Sequence, residues 1–187
     1  MFVKICGITN REDALAAIEA GARALGFIFV PSSPRHVTAE RLESWIRAIP
    51  AEIWKVGVFA DEPPESIERT GALLGLNIAQ LHGVETPERH PRGLRVWKAF
   101  RVTSESNVAD YPAAEAILID GIAYDWTRTT HFTRPLILAG GLNEENVRDR
   151  IGLARPWAVD VSSGVESSPG RKDHARMKKF IEAALRS

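Results

Sequence analysis

Phe2-Val3-Lys4-Ile5-Cys6-Gly7-Ile8-Thr9-Asn10-Arg11-Glu12-Asp13-Ala14-Leu15-Ala16-Ala17-Ile18-Glu19-Ala20-Gly21 reads as one strand, one turn and one helix. Phe2–Cys6 is a short, largely apolar run of strand type. Asn10, followed by Arg11-Glu12-Asp13, is placed to cap a helix carrying Ala14, Leu15, Ala17 and Ile18, and Gly21 is placed to stop it. The turn between them, Cys6-Gly7-Ile8-Thr9, lacks the GxGxxG spacing of a dinucleotide-binding first turn.

The same alternation recurs along the chain. Further strands are predicted at Ala24–Val30, Trp54–Phe59, Ile78–His82, Val96–Phe100, Ala116–Asp120, Leu136–Ala139 and Ala158–Val161. All are short and mostly apolar, as parallel strands covered on both faces are. Helical patterns begin at Thr38, with Leu42, Trp45, Ile46 and Ile49 as the apolar face, and at Pro63-Pro64, where a missing N–H costs little. Others begin at Asn143-Glu144-Glu145-Asn146 and cover Lys172–Leu185. Eight βα units with no long structureless linker predict an α/β fold, a (βα)8 TIM barrel forming a single domain over residues 1–187. An open doubly wound sheet is the structural alternative, but it has no need of an eighth strand. Two units are short. Only Glu85–Arg92 fills the fourth and only Gly121–Arg134 the sixth, and 187 residues fall below the ~200 usual for this architecture.

Composition removes several classes of function. Twenty-four acidic residues balance 24 basic ones, which argues against nucleic acid or a membrane surface as a partner held by bulk charge. One cysteine, with no CxxC and no His-rich tract, excludes an internal disulfide and argues against structural zinc. No signal-peptide h-region follows the N-terminus and no apolar run reaches the length of a membrane span, so a reducing cytoplasm is expected.

In a barrel the strand C-termini converge on one face, and here they carry chemistry. Lys4 and Cys6 end the first strand, and Ser33-Pro34-Arg35 follow the second. Gln80 and His82 end the fourth, Lys98 lies in the fifth and Asp120 ends the sixth. Gly140-Gly141 follow the seventh, and Asp160, Ser162, Ser163 and Gly164 complete the circuit. A free cysteine is often simply buried in the core. A turn and helix N-terminus just beyond Cys6 would instead favour its thiolate, and Lys4 would act in the same sense if the strand alternates regularly. Asp120 either caps the next turn or faces the site as an acid. An acid and a base on opposite sides of one mouth suit two-way proton transfer, as in an isomerisation. Glycines after the seventh and eighth strands let backbone N–H groups face a phosphate. Arg35, in a loop entered through Pro31 and Pro34, is either a solvated cation or a bidentate partner for a carboxylate. His82 reads as a lining residue and Asp160 as an orienting acid, while the five tryptophans read as packing.

These residues fall in ordered motifs. Lys4-Ile5-Cys6-Gly7-Ile8-Thr9, Ser33-Pro34-Arg35, Val56-Gly57-Val58-Phe59, Gln80-Leu81-His82-Gly83, Leu138-Ala139-Gly140-Gly141-Leu142 and Asp160-Val161-Ser162-Ser163-Gly164-Val165-Glu166 resemble, in sequence order, those of the phosphoribosylanthranilate isomerase family. Pro169-Gly170-Arg171-Lys172-Asp173 resembles the lead-in to its last helix. The resemblance implies an Amadori rearrangement in tryptophan biosynthesis, without metal or organic cofactor, on a small phosphorylated substrate. It implies Asp120 as general acid and Cys6 as general base, with Arg35 on the anthranilate carboxylate. Gly140, Gly141, Ser162, Ser163 and Gly164 would hold the phosphate. Lys4, Gln80, His82 and Asp160 would complete the substrate-binding set.

One unit departs from the pattern. After Asp120 the family carries a glycine- and threonine-rich loop, whereas here Gly121-Ile122-Ala123 leads directly to Tyr124-Asp125-Trp126, leaving about ten residues of the loop without a counterpart. That departure keeps open an impaired barrel that binds phosphorylated ligands without turnover. The sister histidine-pathway isomerase is a weaker rival, because it uses a carboxylate where Cys6 stands. No oligomeric partner is evident in the sequence.

Overall fold

The computed structural model describes residues 1–103, 108–109, 111–121, 123–129 and 132–187. Eight parallel strands hydrogen-bond in chain order and close into a barrel. They are β1 (Phe2–Cys6), β2 (Ala24–Ile28), β3 (Trp54–Phe59), β4 (Ile78–Leu81), β5 (Arg95–Arg101), β6 (Ala116–Asp120), β7 (Leu136–Ala139) and β8 (Ala158–Val161). β8 closes on β1 with Lys4 opposite Asp160. The outer helices are α1 (Arg11–Ala20), α2 (Ala39–Glu43), α3 (Pro64–Leu74), α4 (Val147–Ala154) and α5 (His174–Leu185). A two-stranded antiparallel hairpin, β9 (Glu166–Ser168) with β10 (Arg171–Lys172), follows β8.

Local chemistry explains most of these boundaries. The Asn10 side chain accepts the Asp13 N–H at 2.8 Å and so caps α1, and Gly21, at φ +109°, ends it. The helix predicted from Thr38 to Ile49 is interrupted. α2 ends at Glu43, and Ile46–Ala48 continues as a 3₁₀ turn that still buries Leu42 and Ile46. The fourth and sixth units are short, as predicted: among the described residues each holds a single 3₁₀ turn, Pro87–Arg89 and Trp126–Thr129. Ile122, within the departure from the family pattern, lies outside the described residues.

Strand alternation sorts the side chains into two layers. Val3, Ile5, Leu25, Ala79, Leu138 and Val159 face outward into the layer shared with the helices, while Ala24, Val56, Ile78, Leu118 and Ile137 fill the barrel. The barrel floor is aromatic: Phe2 lies 4.8 Å from Trp54 and 4.9 Å from Trp157 between ring centroids, and Trp97 packs edge-on to Trp157. The Arg95 guanidinium sits 4.1 Å above Trp54. Each such aromatic pair adds about 0.5–1.5 kcal/mol beyond area burial. Three of the five tryptophans therefore seal the end opposite the strand C-termini. Polar residues in the barrel are confined to the layers above this plug.

Candidate active site

β1 sets the pattern of the site. Its odd positions, Val3 and Ile5, are outer core, so alternation turns Lys4 and Cys6 inward together. Room for both comes from Gly26 on the paired strand. A Cβ there would lie 2.7 Å from the Cys6 Sγ and 2.9 Å from the Lys4 Nζ. Lys4 is fully buried and its Nζ donates to Asp160 Oδ1 at 2.9 Å. Burial opposes the ammonium form, but Asp160 beside it, joined by Cys6, carries the Lys4 pKa above its ordinary value.

Above this pair opens a cavity of about 630 Å³, lined by Cys6, Arg35, Gln80, His82, Arg101, Asp120, Gly140, Gly141, Asp160, Ser162, Ser163 and Gly164 among others. The strand ends thus bring together every site residue expected from the sequence except Lys4, which lies beneath the cavity as Asp160's partner and forms none of its wall. Lys98, read as another strand-end group, belongs elsewhere. Its Nζ is bound to Glu85 at 2.8 Å and to the Gly83 carbonyl at 2.6 Å.

The acid and base candidates sit in different fields. Burial raises the Asp120 pKa and the negative charge of Asp160 adds to it, while Arg101 and Lys4 oppose. A carboxyl held up in this way keeps a proton to donate more readily than a solvated one. Burial also raises the Cys6 thiol, against the opposing positive charge of Lys4. This corrects the expectation of a thiolate favoured by a helix N-terminus. α1 begins only at Arg11, five residues beyond, and the leading influence on the thiolate's side is Lys4.

His82 is pushed down to about 4, first by burial and then by Lys4, Arg101 and Lys98. Its neutral Nε2 accepts from the Gln80 amide at 2.6 Å, leaving Gln80 Oε1 buried without a partner among the described residues. The Ser162 Oγ is orphaned in the same way. These two unsatisfied polar atoms belong to residues lining one cavity, from β4 and from the turn after β8 across the barrel, and mark places where a ligand's hydroxyl or phosphate would restore a hydrogen bond. Gly140 and Gly141 adopt φ +85° and +65°, and a Cβ on Gly140 would stand 2.6 Å from Asp120 Oδ1. The turn after β7 is therefore packed directly against the acid.

Three polar residues escaped the sequence reading. Arg101 ends β5 opposite Asp120 and lines the cavity. Glu166 and Lys172 form an ion pair at 2.9 Å, and Glu166 also holds Arg35. The available signal was Pro169-Gly170, a turn dipeptide that folds Glu166 and Lys172 back on each other. Among the described residues no group of three His, Cys, Asp or Glu side chains could hold a metal ion, and no helix is long and apolar enough to cross a membrane.

The family model for N-(5'-phosphoribosyl)anthranilate (PRA) isomerase matches residues 3–183. The N-(5'-phosphoribosyl)anthranilate isomerase of Geobacter sulfurreducens is 46% identical over 198 aligned positions, covering 97% of each chain. That alignment is longer than the 187-residue chain, so the relative carries residues that this chain lacks, in keeping with the short sixth unit. The crystal structure of phosphoribosyl anthranilate isomerase from Thermus thermophilus superposes with a TM-score of 0.90 at 39% identity, covering 100% of this chain and 99% of that one. A phosphoribosyl anthranilate isomerase in complex with reduced 1-(o-carboxyphenylamino)-1-deoxyribulose 5-phosphate superposes with a TM-score of 0.87 at 41% identity, covering 100% of both chains.

Proposed function

We propose how this chain, a member of the N-(5'-phosphoribosyl)anthranilate isomerase family, performs that family's reaction: Asp120 is the general acid and Cys6 the general base. The chain is an isomerase of tryptophan biosynthesis. It rearranges N-(5'-phosphoribosyl)anthranilate to 1-(2-carboxyphenylamino)-1-deoxyribulose 5-phosphate. Asp120 donates its proton to the furanose ring oxygen, and the C1′–O bond breaks to leave an open-chain Schiff base. The Cys6 thiolate then takes the C2′ proton, and the electron pair of that C–H bond moves toward the imine nitrogen. The enolamine so formed tautomerises to the ketone.

The observation that carries this reading is the pair's placement. Both groups end strands that turn inward, both line one cavity, and burial raises the pKa of the carboxyl that must donate. Arg35 would take the anthranilate carboxylate. The turns at Gly140-Gly141 and Ser162-Ser163-Gly164 would take the phosphate, whose remote binding fixes the sugar between acid and base. Gln80 and His82 would meet the sugar hydroxyls, and Asp160 would orient Lys4. A single buried free thiol is compatible with a reducing cytoplasm as the site of this chemistry.

The test is turnover of freshly generated phosphoribosylanthranilate, followed by loss of its fluorescence, in the wild type, Cys6→Ala and Asp120→Asn. Each substitution removes general acid–base catalysis worth about 10²–10⁴-fold. Wild-type turnover with both variants reduced on that scale, and with unchanged circular dichroism, supports the assignment. Near-normal rates in either variant overturn its role. A wild type that binds the reduced product without turning over substrate would make the chain a ligand-binding barrel.

A further inference from the structure

Glu166 lies outside the acid–base pair, yet its buried carboxylate joins the two anion-binding ends of the cavity. Arg35 donates to it in bidentate fashion, Nε to Oε1 at 2.8 Å and Nη2 to Oε2 at 2.7 Å. Lys172 Nζ donates to the same Oε1 at 2.9 Å and to the Ser162 carbonyl at 3.1 Å. Ser162 opens the turn that lines the cavity after β8. The Arg35 stem is also confined, since a Cβ on Gly7 would stand 2.6 Å from its Cδ, so only glycine leaves that groove. The guanidinium is therefore held along one edge and along its stem. Its Nη1 group makes no hydrogen bond among the described residues, and the side chain lines the cavity.

We propose that Glu166 is a positioning residue that determines substrate specificity. It fixes the direction of the free edge of Arg35 and, through Lys172, ties that edge to the phosphate turn. The cavity then selects aminoribosyl phosphates whose amine substituent carries a carboxylate at the matching distance from the phosphate. A fork held on one edge presents its remaining donors with little rotamer entropy left to lose. This inference rests on Arg35 being the carboxylate's partner. A role in charge balance alone predicts the reverse outcome. Arg35, Glu166 and Lys172 together carry one net positive charge, so neutralising Glu166 would add positive potential and tighten an anionic ligand.

The experiment measures affinity for two probes, the reduced product 1-(o-carboxyphenylamino)-1-deoxyribitol 5-phosphate and its phenyl counterpart lacking the carboxyl group. Wild type, Glu166→Gln, Arg35→Met and the double variant are compared, with KM and kcat recorded alongside. Arg35→Met weakens the reduced product by about 10–100-fold, the range of a charge-assisted hydrogen bond. Glu166→Gln weakens it by about tenfold, leaves the phenyl counterpart's affinity in place, raises KM more than it lowers kcat, and adds nothing in the Arg35→Met background. An unchanged or tighter reduced product in Glu166→Gln, with Arg35→Met weakened, overturns the role of Glu166 and spares that of Arg35. Equal losses on both probes make Glu166 merely structural and also overturn it. An unaffected Arg35→Met overturns the underlying carboxylate reading instead. Should Glu166→Gln not fold, Glu166→Asp keeps the charge beside Lys172, draws the carboxylate back from the guanidinium by one methylene, and carries the same expectations.

Discussion

Replacing Lys4 by Met removes the cation beneath the cavity and should act twice, on stability and on the thiol. The Lys4 side chain is 0% exposed and that of Asp160 9%, so the substitution strands a carboxylate that water scarcely reaches. Breaking one side of such a pair costs about 3–5 kcal/mol, while a pair of neutral, well-packed groups is nearly as stable as the ion pair. For a chain of this size each kcal/mol moves Tm by about 2–4 °C, so Lys4→Met should melt roughly 6–20 °C below the wild type. Adding Asp160→Asn should recover most of that loss.

The second effect is on the base. Lys4 is the foremost charge opposing the burial that raises the Cys6 thiol, so its loss drives the thiol further up. The active form needs Asp120 protonated and Cys6 ionised, an inverted pair whose population is set by the gap between the two pKa values. Lys4 is the foremost charge on Cys6 but the least of those acting on Asp120, so its loss widens the gap and lowers the plateau of kcat/KM. At alkaline pH the thiol is ionised in both proteins, and the two profiles draw together. Calorimetry and a pH–rate series measure both effects. A Lys4→Met loss below about 1 kcal/mol, or a rate deficit that does not shrink as pH rises, would rule out these roles of Lys4.

Three further outcomes follow from the site. His82 titrates near 4 in the folded chain and 6.5 otherwise, so the unfolded state takes up its proton first and stability falls as pH drops from 6.5 toward 4. The full contribution is about 3 kcal/mol; His82→Asn should lose that part of the slope in urea titrations at pH 7 and 4.5. Gly140→Ala places a methyl group 2.5 Å from the Gly121 nitrogen and 2.6 Å from Asp120 Oδ1. It should cost about 1–3 kcal/mol in urea unfolding and reduce kcat by displacing the acid. Gly26→Ala crowds the Cys6 Sγ and Lys4 Nζ at 2.7 and 2.9 Å, and in steady-state kinetics should lower kcat more than it raises KM.

Much of the barrel was legible because each unit announces itself locally. β1, β3, β6, β7 and β8 have the predicted ends, since an apolar run gives way within two residues to glycine or polar residues. β2 was expected to reach Val30 but stops at Ile28. Beyond it the loop turns back, and His36 bridges to Ile28 instead. α4 starts at Val147 rather than at Asn143, because the Asn143 side chain accepts the N–H groups of Glu145 and Asn146 in a turn of its own. The hairpin of β9 and β10 went unread, its strands being too short to show any period. In the site, residues that end strands could be found from the chain, because topology alone brings strand ends together. What could not be found was pairing across the fold. Nothing in the spacing of Arg35 and Glu166, or of Lys4 and Asp160, says that they meet. Burial decided the state of Cys6, and burial belongs to the assembled barrel.

A crystal structure with the reduced product bound would show the acid and base against the atoms they serve. Cys6 Sγ is expected at roughly 3–3.5 Å from C2′, the reach of a near-attack geometry. In this arrangement the Asp120 carboxyl lies at hydrogen-bond distance from the hydroxyl derived from the ring oxygen, the carboxylate lies on Arg35, and the phosphate lies between the Gly140-Gly141 and Ser162-Ser163-Gly164 turns. A ligand lying with C2′ turned away from Sγ, or with its carboxylate and phosphate ends exchanged, would contradict it.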